Sequence, residues 1–238
     1  MPVRWAVVAA SGDPQNMTPS MTTETIRVPS RPARTTGVVA ALVGVLLCWL
    51  LAAPQQYASD ETTGTALPYV PDVWLSGYQS LYDGVGDRLG MTAYYFWGHF
   101  VFLTYVAGLL AVRALPHGTS RRSRIGRRLL LIAFALGLVG DLVGYWGGWG
   151  GEVTTVTDIG FVALELPALV LMAVSMLIYG LGMAHERLQP RWAAWALLVG
   201  VPASLVSSIV FITYVPHGIV APVLATLAAS LAGTLTRH

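Results

Sequence analysis

The chain has 238 residues, of which 55% are hydrophobic and only 11% charged, far below the roughly one quarter charged that soluble domains carry. Its formal charge of +2 comes wholly from arginine, since there is no lysine, and no nucleic-acid-binding module is recognisable in it. The lone Cys48 excludes an intramolecular disulfide.

Residues 1–36 are polar, hold Pro14, Pro19, Pro29 and Pro32, and show no sustained periodicity. They are expected to form a disordered cytoplasmic tail, with Met17 and Met21 as alternative starts. Apolar runs near 38–53, 93–112, 129–147, 160–183, 192–213 and 219–235 follow. Each is long enough, or nearly so, to cross about 30 Å of hydrocarbon at ~1.5 Å per residue. They predict an all-α polytopic bundle of six spans over 37–238. The shortest run, 37–53, also fits a signal-peptide h-region, with Arg31 and Arg34 before it and Ala52, Ala53 and Ala58 after it.

On this reading thirteen of the fourteen arginines share one side, and only Arg88 lies opposite. Basic excess in short loops marks the cytoplasmic face, so both termini are expected inside a bacterial cytoplasmic membrane. The cluster Arg113, Arg121, Arg122, Arg124, Arg127 and Arg128 is explained by that topogenic role. It would also attract anionic lipid headgroups.

Span one is expected to end at Pro54, opening an extracytoplasmic segment over 54–92. Within that segment Val73, Trp74, Tyr78, Leu81, Tyr82, Val85 and Leu89 recur at helical spacing, predicting an interfacial helix. Tyr94, Tyr95, Phe96 and Trp97 form an aromatic belt at the head of span two. In span three Gly140, Gly144 and Gly148 are spaced by four, a ridge suited to close helix packing and to oligomerisation. Glu152 and Asp158 lie in the next loop. Pro167, Pro202 and Pro222 interrupt spans four, five and six and free the carbonyls of Ala163, Leu198 and Gly218.

Intramembrane ionisable residues carry the chemistry. His99, Asp141 and Glu165 fall at a similar predicted depth, roughly 7–11 Å below the outer boundary, and Ser207 and Ser208 lie at that level in span five. A carboxylate at mid-membrane costs about 2.5–3.5 kcal/mol on insertion scales, so these groups should face the bundle interior. Tyr95 precedes His99 by four residues and Tyr145 follows Asp141 by four, placing each pair on one helix face. A hydrogen-bonded network Tyr95–His99–Asp141–Tyr145 is therefore expected, as a site or as structural support. Leu169, Met172, Met176 and Tyr179 follow Glu165 at helical spacing and could floor a lipophilic pocket. His217 is expected at the same outer mouth. No HExxH, CxxC, phosphate-loop, GxSxG or repeated DxxxD pattern occurs, so neither a metal nor a cofactor is expected.

The stretches Asp141-Leu-Val-Gly-Tyr-Trp-Gly-Gly148, Glu165-Leu-Pro-Ala168 and Leu188-Gln-Pro-Arg-Trp-Ala-Ala-Trp195 resemble a loose group of uncharacterised bacterial multi-pass membrane proteins, over about residues 129–235. The resemblance implies a helical bundle and supplies no activity. Small integral-membrane terpene cyclases are similar in size, span count and use of intramembrane acids, an analogy of form alone.

The leading expectation is a protein that binds a lipophilic small molecule or lipid near the outer leaflet. Asp141 and Glu165 would give the polar contacts, His99 would orient them, and Tyr95, Tyr145, Ser207, Ser208 and Met172 would line the site. The alternatives are an acid/base enzyme acting on an isoprenoid-like lipid through Asp141, Glu165 and His99, and a proton-coupled transporter or export/immunity accessory.

Overall fold

A computed structural model describes residues 26–63, 72–148, 154–211 and 215–236. The first twenty-five residues, Glu152, His238 and the side chain of Trp74 lie outside that description. The described chain is helical throughout, its only β-type pairing being an isolated bridge between Arg27 and His117. Six helices are long and apolar enough to cross a membrane: Arg31–Gln55, Ala93–Arg113, Arg121–Trp146, Thr155–His185, Arg191–Ile209 and Pro216–Leu235. They are spans one to six below. The protein is thus a multi-pass helical bundle of the expected class.

Consecutive spans pack side by side, and span six returns against span one, closing the ring. Span six also touches spans two and four, so spans two and six form the interior and the other four the flanks. The lipid-facing sides carry exposed Leu42, Leu46, Ile132, Val170, Leu205 and Ile209, as expected where the solvent is hydrocarbon rather than water.

Aromatic rings seated on glycines set the approach of spans two and three. Gly98 faces Tyr145, Gly108 faces Phe134 and Gly137 faces Tyr105, and a Cβ on any of these glycines would overlap the ring. Spans three and four come closer still. A Cβ on Gly140 would meet the backbone of Glu165, and one on Gly160 would meet the backbone of Gly144. The ridge Gly140/Gly144 therefore packs inside the chain against span four.

Several boundaries differ from the hydropathy reading. The first helix starts at Arg31 and runs through Pro54 to Thr63. Residues 31–36 are thus helix rather than tail, and Arg27 pairs its backbone with His117. Proline costs a helix one amide bond and a local bend; an otherwise continuous helix can absorb both. Span four begins at Thr155 behind a capping box of Thr154 and Thr157, five residues before its apolar run.

The segment after span one contains the expected short helix, Asp72–Leu81, followed by a π turn at Tyr82–Gly86. Its tyrosines grip the head of span two: Tyr78 meets Trp97 edge-on with ring centroids 5.1 Å apart, and Tyr82 Oη donates to the Met91 carbonyl at 2.8 Å. Leu81, Val85 and Leu89 stay exposed on the other side.

On the arginine-rich face, side chains satisfy helix ends. Arg34 is buried and donates to the carbonyl of Thr234, in the last turn of span six. Arg127 donates to the carbonyl of Arg113 at the close of span two, at 3.0 Å. Glu186 accepts from the amides of Thr119 and Ser120, both at 2.8 Å, at the start of span three. Cations at helix C-termini and an anion at an N-terminus follow the helix dipole.

Candidate functional site

Span two is broken. Helix Ala93–Gly98 ends at His99, a turn of i→i+3 bonds covers residues 99–101, and helix Phe102–Arg113 resumes. The adjoining spans carry π segments at the same end of the bundle, Leu142–Trp146 directly after Asp141 and Ile159–Glu165 directly before Leu166. Such bulges recur at functional positions because they re-aim side chains inside a helix. Pro167 falls just after the second bulge, in the first turn of helix Leu166–His185, where its missing amide costs least.

These irregular turns surround the two acids. Asp141 is fully buried and Glu165 nearly so, at 4% exposure. The Cβ position of Gly140 lies 2.7 Å from the Glu165 amide, so the two carboxyl groups sit on directly abutting backbones. Tyr105, fully buried on span two, lies over Gly137 and donates its hydroxyl to Glu165 Oε1 at 2.7 Å. The Phe102 amide, at the restart of span two, lies toward Asp141. Neither Asp141 oxygen makes a hydrogen bond of normal geometry among the described residues.

The expected network through His99 is not what forms. His99 Nδ1 donates to the Tyr95 carbonyl at 2.5 Å, and its ring stacks edge-on with Trp146 at 4.7 Å. Trp146 Nε1 donates in turn to the His99 carbonyl at 3.3 Å. The histidine thus ties the broken turn of span two to span three. Tyr145 joins a different chain of bonds. Gln55 Nε2 donates to the Tyr145 hydroxyl at 3.0 Å, that hydroxyl donates to Tyr94 at 3.3 Å, and His217 Nε2 donates to Gln55 Oε1 at 2.8 Å. Spans one, two, three and six meet there. The Tyr95 ring packs on Tyr94 and Tyr145.

The other candidates lie apart from the acids. Ser208 donates to the Ser204 carbonyl at 2.8 Å within span five. Ser207 borders a cleft of about 350 Å³ with Trp49 and Pro222. Met172 and Met176 are fully buried, and Met176 packs toward Gly200. Tyr179, also fully buried, donates to the Pro116 carbonyl at 2.8 Å. The stripe Leu169, Met172, Met176 and Tyr179 below Glu165 is buried along its length. Among the described residues no group of three His, Cys, Asp or Glu side chains could hold a metal.

Two participants escaped the hydropathy reading. Tyr105 lies in an apolar stretch with nothing to mark it, and Gln55 follows the proline taken as the end of span one. Comparison of the chain with protein-family models, curated proteins and solved structures finds no match.

Proposed function

We propose that the protein binds a lipophilic molecule inside the membrane at Asp141 and Glu165, the molecule supplying positive charge or hydrogen-bond donors to the pair. The observation that carries this reading is Asp141: fully buried, beside a second acid, with neither oxygen making a hydrogen bond of normal geometry among the described residues. Buried polar atoms are nearly always partnered, and exceptions mark functional positions. Burying a negative charge costs several kcal/mol without a compensating partner, and a lipophilic cation reaching the pair through the bilayer is such a partner. Glu165, held by Tyr105, would fix the geometry of the second contact.

A proton-coupled cycle using the same pair is the second reading. It is favoured by the break in span two and by the π turns flanking both acids, where helical register can shift as a charge is bound or released.

The test is binding of tetraphenylphosphonium, a lipophilic cation, to the protein in phosphatidylcholine vesicles. Saturable binding should weaken at least about tenfold in Asp141→Asn and in Glu165→Gln, the equivalent of ~1.4 kcal/mol. Uptake no greater than that of protein-free vesicles, or equal in both variants and the wild type, would refute the reading.

A further inference from the structure

Spans one and two part toward the surrounding lipid, leaving a cleft of about 830 Å³ in the arginine-side half of the bundle. Its span-one wall is a stripe of one residue per turn, Arg31, Thr35, Val39 and Val43, all exposed. Its span-two wall is Leu103, Val106 and Leu110. Arg113 is exposed and lies three residues beyond Leu110, which extends that face by a turn. Small residues, Ala40 and Ala107, make the floor. Apart from Thr35 and Thr36 near the arginine end, both walls are apolar, with Arg31 lining that end and Arg113 one turn beyond the lining of span two.

We propose that this cleft holds one anionic phospholipid of the arginine-side leaflet, an acyl chain lying between the spans and the headgroup phosphate held by Arg31 and Arg113. From Arg31 to Leu47 the cleft runs sixteen residues, about 24 Å of helix rise, enough for a full acyl chain within ~30 Å of hydrocarbon. The volume falls in the ~300–1,000 Å³ range of ligand sites. A zwitterionic lipid would fill the apolar walls equally well, so the two arginines are what select charge. Basic groups at the cytoplasmic surface favour acidic lipid by about fivefold each, or about 25-fold for two. The site is separate from the carboxyl pair: neither Asp141 nor Glu165 lines it.

Native mass spectrometry of the detergent-solubilised full chain, titrated with phosphatidylglycerol or phosphatidylcholine, tests this. One saturable phosphatidylglycerol adduct is expected, favoured about 25-fold over phosphatidylcholine. Arg31→Gln should cut the preference to about fivefold while leaving phosphatidylcholine binding intact. Val43→Trp, which fills an exposed part of the cleft, should remove the tight adduct of either lipid. Equal retention of the two lipids by the wild type, or a preference untouched by both substitutions, would overturn the proposal. If Arg31→Gln does not accumulate, Val43→Trp and Arg113→Gln decide the matter alone.

Discussion

Tyr105 gives Glu165 its hydrogen bond from a fully buried position, and phenylalanine would keep the ring while removing the donor. Leaving a buried acceptor unpaired costs about 1–3 kcal/mol. Tyr105→Phe should therefore lower the unfolding free energy of the purified protein in detergent by that amount; an unchanged denaturation midpoint would show that the bond contributes nothing. Asp141→Asn should behave differently. It replaces a buried carboxyl whose oxygens make no hydrogen bond of normal geometry among the described residues, so its melting temperature should match or exceed the wild type while tetraphenylphosphonium binding falls. That separation of stability from binding is the signature of a residue kept for function. Both acids were legible from composition, because hydrocarbon makes each of them expensive. Their partner was not, because a tyrosine in an apolar run looks like packing. Its reach to Glu165 also depends on the break at 99–101 and on π turns, which leave no mark in hydropathy.

Between elements, the tightest joint is the glycine seam of spans three and four. Gly160 meets the backbone of Gly144 with no side chain between them, so Gly160→Ala forces two main chains apart, at a cost of about 1–3 kcal/mol. Gly77 has open space around it, and Gly77→Ala should be neutral or slightly stabilising. Parallel thermal melts of the two variants compare the joints directly. At the ends of the same spans, Glu186 is a second joint. Burial pushes its carboxyl up, but hydrogen bonds from Ser120 and Ser123 and from the amides of Thr119 and Ser120 outweigh this and hold it below the usual range. A depressed carboxyl contributes stability above its unfolded value of about 4.3 and loses it as pH falls through the folded one. Wild-type melting temperature should thus drop on acidification below about pH 4.5 more steeply than that of Glu186→Gln, with the two curves offset but parallel near neutrality. Spacing announced the glycine ridge but could not assign its partner. Span four was legible as a helix, yet its start at Thr155 rests on hydroxyl caps rather than on apolar residues.

At the scale of the whole molecule, six spans and their order could be read from apolar runs alone, since nothing else satisfies twenty consecutive amides in lipid. Orientation rests on arginine distribution, and fusions test it. A reporter active only in the cytoplasm should work when inserted within 113–128 and fail within 72–89; the reverse pattern would invert the protein. Which spans lie inside could not be read from hydropathy. Spans two and six are not the most apolar of the six, with mean hydropathy of 1.5 and 1.8 against 2.4 for span one. Contact of the last span with the first is what encloses them.

That contact has a bearing on how the protein is made. Arg34, on the first of the six described spans, points its guanidinium at a carbonyl of the sixth. Throughout synthesis of the intervening chain, a cation at the edge of the bilayer waits for an acceptor that has not yet been translated. Translation stopped short of span six would leave that guanidinium without this acceptor.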